Sequence, residues 1–233
     1  MPAQAPPAPF VATFQVAWHG ITAGDSTLAL VADAPGHFTY SSNIKAHGIF
    51  RLVFPVALIQ SSTFTLADGH VVPLHYQESG LARDHSDEVE LTFDRDSGRV
   101  RGTSEKHAVD QPLDPDIQDP MSVQIELMRQ LQAGLVPTQF KLFDKDQAKE
   151  YFYTRERTEV LHTPLGAQDT VVYRSDRPGS DRVTRLWLAP KLHFLPLQAA
   201  RSRKGSVDLS MRILSVTYPR ETQNAKPPEY PVP

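Results

Sequence analysis

The sequence contains no cysteine among its 233 residues, and no region carries a strong excess of charge of one sign. Without thiols the chain can form no disulfide, no thiolate zinc site and no cysteine nucleophile. The formal net charge is −3, and the densest basic group, Arg201, Arg203 and Lys204, is typical of a solvated turn. Nucleic-acid-binding domains usually have a basic surplus on one face, so we predict no nucleic-acid partner.

Long apolar runs are also missing from the sequence. No stretch approaches the ~20 apolar residues of a membrane-spanning helix, so we predict no membrane span. The first nine residues, MPAQAPPAP, are rich in Pro and Ala and have no apolar signal-peptide core. They are typical of a mature exported chain whose signal peptide has been removed, which favours the periplasm. A disordered cytoplasmic N-terminus would have the same composition.

Proline is concentrated at the two ends of the chain, where it disfavours regular structure. We therefore predict flexible Pro-rich tails at residues 1–9 and 221–233. All-β domains often reach ~250 residues as one unit. Residues 10–220 are thus predicted to form a single β-rich domain.

Most of the predicted domain has apolar residues at alternate positions, which indicates half-buried strands. Phe10 to Trp18 shows this alternation, and Ser26 to Val31 is predicted to return from it through a hairpin around Gly20–Gly24. In the last strand the apolar parity changes near Ile213 and Leu214, which predicts a β-bulge. The fold class is therefore mainly β: a large curved antiparallel sheet.

One segment, at about 120–133, has helical periodicity instead. Asp119 is a good N-cap, Pro120 suits the first helical position, and Gly134 is a typical terminator. We predict one amphipathic helix that packs on the sheet by a single apolar face, formed by Val123, Leu127, Met128 and Leu131. A shorter helix at 49–58 is less favoured because it would contain Pro55.

The string Gly24-Asp25-Ser26-Thr27-Leu28 is similar to the first block of GDS-type esterases. Those enzymes place the serine before a helix and need a histidine base, whereas Ser26 precedes a strand pattern and no histidine follows His193. We favour the interpretation that Gly24 and Asp25 form a hairpin turn.

Carboxylates and histidines suggest no convincing metal or acid–base site. The acidic stretch Asp110, Asp114, Asp116 and Asp119 could begin a calcium loop, but it lacks the glycine and late glutamate of the EF-hand pattern. Glu88 and Glu90 are predicted to lie on the wet face of a strand. The nine histidines show no helical i,i+4 or His-x-His spacing. We predict no metal and no cofactor.

Aromatic residues are the remaining candidates for a site. A curled sheet can enclose an apolar cavity, although aromatic residues on one strand face more often form packed core. If a cavity exists, we expect Phe14, Trp18, Tyr40 and Phe93 to line it.

Several strings occur together in an order that resembles the DUF3108 family of exported Gram-negative proteins, over about residues 12–217. They are Phe14 to Gly24, Thr65 to Gly69 with Pro73 to Tyr76, Val89 to Asp94 with Gly98 to Val100, Gln118 to Ser122, Thr163 to Gly166, and Trp187 to Pro190 with Leu195 to Leu197. The resemblance implies a periplasmic location and a strongly curved sheet around a helix. It implies no catalytic residues.

The resemblance and the aromatic strands together suggest a non-enzymatic periplasmic binding or carrier protein for a lipid or another hydrophobic envelope ligand. A structural or protein-interaction factor of the envelope, which would use a sheet edge or the tails, is the alternative. A hydrolase built from residues distant in sequence is a less favoured one.

Overall fold

The computed structural model describes residues 7–52, 57–80 and 86–219. Most of these residues belong to fifteen strands and one α-helix. In chain order the elements are β1 (Phe10–Trp18), β2 (Ile21–Ala34), β3 (His37–Ala46), β4 (Leu58–Ala67), β5 (His70–Ser79), β6 (Val89–Asp94), β7 (Arg99–Ser104), β8 (His107–Pro112), β9 (Ile117–Gln118), α1 (Ser122–Gln132), β10 (Gln139–Asp144), β11 (Gln147–Thr163), β12 (Gly166–Asp176), β13 (Arg182–Ala189), β14 (Leu195–Arg203) and β15 (Ser206–Thr217).

The described strands form one open, curved sheet in the order β8-β7-β6-β5-β4-β3-β2-β1-β15-β14-β13-β12-β11-β10-β9. Every neighbouring pair is antiparallel except β9 and β10, which are parallel. The first and last strands pair with each other near the middle of the sheet. The mainly β fold class and the large curved antiparallel sheet predicted from sequence are confirmed.

The curvature follows from irregularities in the strand ladders. Between β1 and β15, Thr13 pairs with Ser215 and Phe14 with Ile213, which leaves Leu214 as an extra residue. The predicted bulge is therefore confirmed. Similar register shifts occur in the β1–β2, β4–β5, β13–β14 and β14–β15 ladders. Bulges increase the local twist and bend a strand, so repeated bulges roll the sheet into a trough.

Helix α1 lies within the predicted range but begins later, at Ser122, because Pro120 and Met121 form a turn before it. Asp119 caps this turn as predicted: its Oδ1 accepts hydrogen bonds of 2.8 Å from the backbone N–H groups of Met121 and Ser122. At the other end, Gly134 adopts φ +76° and the Leu135 N–H donates to the Gln130 carbonyl. This bond pattern is the Schellman termination that glycine favours.

The helix packs inside the trough by two apolar faces rather than the single face predicted. Ile125 and Met128 join the main core with strands from the first half of the sheet. Val123, Leu127 and Leu131 join a second core cluster that includes Tyr153 and Tyr173 in β11 and β12. The helix therefore separates the two halves of the sheet and holds both. It is the helix with the most residues in the described chain, and none there is long and apolar enough to cross a membrane.

The prediction that Gly24 and Asp25 form a hairpin turn was wrong. Strand β2 already begins at Ile21, and the turn consists of His19 and Gly20, both with positive φ. Gly24 lies inside β2, where a Cβ atom would stand 2.1 Å from the Lys45 carbonyl oxygen of β3. Glycine is needed here because the neighbouring backbone comes so close.

Two further expectations fall partly outside the described residues. A 3₁₀ helix at Gly48–Leu52 occupies the start of the less favoured 49–58 helix, and residues 53–56 are outside the description. The predicted tails at 1–9 and 221–233 are also outside it, apart from residues 7–9.

We predict that Gly24→Ala destabilises the domain by about 3 kcal/mol, because the added methyl group must displace strand backbone. Gly36→Ala is the control, since nothing lies within 4 Å of its Cβ position and only its φ of +76° is unfavourable. That control should lose about 1 kcal/mol. Urea unfolding followed by tryptophan fluorescence measures both, and equal losses would contradict the close-approach argument.

Candidate functional site

A cleft of about 610 Å³ opens on the concave side of the sheet, next to the N-terminal end of α1. Phe14 and Leu28 lie on its floor, and Met121 and Gln124 close it at the helix. One wall comes from strands β3 to β6 and the other from β13 to β15. The apolar side chains of these walls are Ile44, Leu58, Val89, Leu186, Leu209 and Met211.

A smaller chamber of about 160 Å³ continues the cleft away from the helix. Ile44, Leu58 and Leu209 line both spaces, so the two are adjacent. The remaining lining of the chamber is largely apolar or small, with Val16, Trp18, Ala23, Gly24 and Gly80, but it also includes the cations Lys45 and Arg201. Together the two spaces form an elongated channel with apolar side chains along much of its length and charged residues among the lining of the cleft.

Polar side chains form a row across one wall of the cleft. Ser42, Gln60 and Glu78 pair directly across β3, β4 and β5, and all three line the cleft. Oε2 of Glu78 accepts two hydrogen bonds, one of 2.7 Å from Gln60 Nε2 and one of 2.6 Å from the Tyr76 hydroxyl. We call Ser42, Gln60 and Glu78 the polar row.

A buried carboxyl lies behind the polar row, at the start of the helix. Asp119 is fully buried and accepts a hydrogen bond of 2.5 Å from the Ser62 hydroxyl of β4. Burial raises the pKa of the Asp119 carboxyl to about 6, although the hydrogen bonds from Ser62 and the helix N–H groups oppose the shift. Burial and the nearby Glu78 and Asp119 also raise the pKa of Tyr76. This group fixes the helix to β4.

Charged residues surround the mouth of the cleft and are mostly paired. Lys145, in the β10–β11 turn, hydrogen-bonds to Glu105 in the β7–β8 turn, and this contact raises the pKa of Lys145. Arg201 makes a bidentate contact with Asp208, with a closest distance of 2.9 Å. The tips of hairpins from the two halves of the sheet therefore meet at the mouth.

The four aromatic residues proposed from sequence separate into two groups. Phe14 lines the cleft and Trp18 lines the chamber. Tyr40 is 0% exposed and donates a hydrogen bond of 2.9 Å to Gln124, while Phe93 packs edge-on against Phe143 at 6.2 Å. Tyr40 and Phe93 are core residues and line neither space. Whether Phe14 and Trp18 bind a ligand stays a prediction.

Ser26 does not have the surroundings of an esterase nucleophile. It lies within β2, is buried, and its hydroxyl has no hydrogen-bond partner in the described part of the chain. Among the described residues, no histidine lines the cleft or the chamber. Ser26 is therefore similar to the GDS block in sequence, but its surroundings do not provide the geometry that esterase chemistry requires.

The acidic stretch between β8 and α1 is used in separate structural contacts. Asp110 pairs with Arg99 and Arg101, and Asp114 with Lys141 at 2.6 Å. Asp119 caps the helix. Over residues 7–52, 57–80 and 86–219, no group of three or more His, Asp or Glu residues is placed to hold a metal ion. Glu90 is exposed on β6, as predicted for the wet face of a strand.

Sequence reasoning did not identify the polar row. Gln60 and Ser62 alternate with Ile59 and Ser61, so by composition either face of β4 could be the outer one. Only the cross-strand register shows that the Gln60 face points into the trough. The one available signal is the alternation of Leu58, Gln60, Ser62 and Phe64, which places polar groups between two apolar residues of the same face.

The comparisons with known proteins give a family and one solved structure of similar fold. The model of the DUF3108 family (protein of unknown function) matches residues 13–212. No curated protein matches the sequence. A β-barrel-like protein of the domain of unknown function DUF1849 from Brucella abortus is similar in structure, with a TM-score of 0.57, 12% identity, and coverage of 91% of this chain and 98% of that one.

Two further solved structures align with lower scores. The MucA/MucB complex of Pseudomonas aeruginosa gives a TM-score of 0.40 at 12% identity and covers 91% of this chain and 53% of that one. A Bacteroides fragilis protein described as exported, with a YmcC-like fold, gives 0.38 at 10% identity, with coverage of 91% and 96%. At these identities the likeness concerns the fold and not the ligand.

We predict that Asp119→Asn changes how stability depends on pH. The folded pKa of about 6 lies above the ordinary 3.8, so the wild-type carboxyl favours folding at low pH and loses that contribution as pH rises through 6. Asparagine keeps the cap acceptor and does not titrate. The wild type should therefore gain about 2 kcal/mol relative to the variant between pH 7.5 and pH 4.5.

Urea unfolding of both proteins at the two pH values measures this difference. Exposed carboxylates such as Asp94 and Asp110, whose pKa values are lowered, affect both proteins alike and cancel. A pH-independent difference would show that Asp119 is ionised throughout.

Proposed function

This chain belongs to the DUF3108 family, and we propose that it is a non-enzymatic binding protein of the bacterial periplasm that holds a lipid or another elongated hydrophobic molecule. The cleft and its adjoining chamber are the proposed binding site. The observation that carries the proposal is the size and lining of the cleft. A space of about 610 Å³ is within the usual range of ligand sites, and such sites are mostly apolar with a few polar groups.

The shape of the space supports an elongated ligand. Because the chamber shares Ile44, Leu58 and Leu209 with the cleft, a chain that enters the cleft can extend past Phe14 towards Trp18. Transfer of a hydrocarbon chain from water into such a space is favourable by roughly 0.8 kcal/mol per buried CH₂ group. A chain of several carbons would therefore supply useful affinity without any specific contact.

The proposed location rests on the sequence. It follows from the resemblance of the chain to the DUF3108 family, which implies export. The absence of cysteine is compatible with an oxidising compartment.

A role based on strand addition to a partner protein has less support. The edge strands are β8, with six residues, and β9, with two. Asp110 and Pro112 on β8 are residue types that discourage pairing at an edge. The tail at 221–233, which could bind a partner independently, lies outside the described residues.

We predict that the neutral apolar dye N-phenyl-1-naphthylamine binds the full chain saturably, with one site and increased fluorescence. Leu209→Asp should weaken binding about tenfold or more, because it places a charge in the apolar lining shared by the cleft and the chamber. Leu214→Asp is the matched control on the same strand, since Leu214 is exposed in the bulge and lines neither space. It should bind within twofold of wild type.

Native mass spectrometry of gently purified protein provides an independent measurement. A bound mass that is removed by organic extraction would identify a hydrophobic ligand directly. Non-saturable dye binding, or equal affinity in the two variants, would contradict the proposed site.

A further inference from the structure

The polar row contains more hydrogen-bonding capacity than its own contacts use. Gln60 and Tyr76 both donate to Oε2 of Glu78, and within the described residues Oε1 of Glu78 accepts no hydrogen bond. The carbonyl oxygen of Gln60 is likewise without a donor in that part of the chain. These oxygens belong to side chains that line the cleft, so they are acceptors available to a ligand.

Ser42 adds a hydroxyl group to the polar row. Its side chain is 4% exposed, lines the cleft, and lies directly across from Gln60. Its hydroxyl makes no hydrogen bond to any described residue. A serine hydroxyl can donate and accept hydrogen bonds, so Ser42 adds one more group of this kind to the lining of the cleft.

Glu78 is held in place before any ligand arrives. Its two donors come from its own strand and from the directly paired position of β4, and both contacts are 2.7 Å or shorter. A carboxylate fixed by two hydrogen bonds to one oxygen presents the other oxygen in a defined direction. Preorganisation of this kind reduces the entropic cost of binding.

The cations nearest to the polar row are already engaged. Lys145 is hydrogen-bonded to Glu105 and also interacts electrostatically with Glu78, and Arg201 makes its bidentate contact with Asp208. Arg182 on the opposite wall and Lys45 in the chamber have no ion pair among the described residues and are the competing features. At the polar row itself, the free groups are two acceptor oxygens, one of them on a carboxylate, and one hydroxyl.

We propose that the polar row receives a primary ammonium group, and that the ligand is an amphiphile whose hydrocarbon chain extends from Glu78 towards Trp18. This inference rests on the proposed function of the cleft. The three N–H donors of an ammonium group match the free oxygens of Glu78, Gln60 and Ser42. A carboxylate or phosphate at the same position would face a like charge and two acceptors.

The apolar part of the ligand has a defined path. Glu78 and Gly80 are two residues apart in the chain, so their Cα atoms are roughly 7 Å apart and the chamber begins close to the polar row. Ile44 and Leu58, the neighbours of Ser42 and Gln60 on the same strand faces, lie along this path. Head and chain would thus occupy adjacent segments of the same strands.

Three probes with the same chain and different heads test the inference: dodecylammonium, dodecan-1-ol and dodecanoate, each below its micelle-forming concentration at pH 7. Displacement of N-phenyl-1-naphthylamine from the full wild-type chain gives their affinities. We expect dodecylammonium to bind about tenfold tighter than dodecan-1-ol, and dodecanoate to bind most weakly. This comparison needs no variant.

The isosteric change Glu78→Gln should abolish the preference for dodecylammonium over dodecan-1-ol. Glu90→Gln, on the adjacent strand with a side chain that is 72% exposed to solvent, is the control and should retain the preference. Urea unfolding of each variant confirms that it is folded.

The possible failures are distinguishable. Equal affinity for the three probes, or a preference that survives Glu78→Gln, would overturn the ammonium proposal. Neither result would contradict the proposed binding of hydrophobic molecules in the cleft. Tighter binding of dodecanoate that Arg182→Gln or Lys45→Gln removes would overturn the ammonium proposal in favour of an anionic head at the corresponding cation. If no probe displaces the dye, the cleft is not the binding site and both proposals fall.

Discussion

The attachment of one short helix to β4 and β5 determines the rest of this architecture. Asp119 binds Ser62 and caps the first turn, and Glu126 accepts a hydrogen bond of 2.8 Å from the Val71 N–H. Gln118 completes the contact by donating to the Val71 carbonyl at 2.8 Å. These bonds connect buried polar groups that would otherwise be unsatisfied. Any other position of the helix in the trough would leave these groups without partners.

The cleft exists because this helix is too short to fill the trough. Eleven residues span roughly 16 Å, whereas strands such as β2 and β15 have fourteen and twelve residues and extend further. A sheet of fifteen strands has a concave face that must be covered by something. At the N-terminal end of α1, near Met121 and Gln124, this cover stops, and Phe14 and Leu28 face an open space. The apolar lining is therefore the part of the concave face that the short helix leaves uncovered.

Much of this fold could be predicted from the sequence because its signals are local. Alternation along Phe10 to Trp18, the change of parity at Ile213 and Leu214, and the cap at Asp119 each depend on a few neighbouring residues. The structure bears all three out. The helix bounds differed by two residues at the start because a turn precedes the helix proper.

The site could not be predicted in the same way because it depends on register between distant strands. Gln60 meets Glu78 and Ser42 only through pairing across β3, β4 and β5. Gly24 was misinterpreted for a related reason, since its role is set by the Lys45 carbonyl of the next strand. Tyr40 and Phe93 have the same aromatic pattern as Phe14, yet the helix and β10 cover them. Composition does not distinguish a covered aromatic residue from an open one.

The pairing of β1 with β15 also has a consequence for how the chain reaches its native state. The hydroxyl groups of Thr13 and Ser215 are 2.8 Å apart although 202 residues separate them. Strands β2 to β8 can assemble as successive hairpins, but β1 has its second neighbour only after β15 has been synthesised. Non-local pairing of this kind slows folding and exposes strand edges during the delay. Until β15 docks, β1 is an unprotected edge strand of nine residues, although it later lies at the centre of the sheet. A holdase chaperone would bind the chain at this edge.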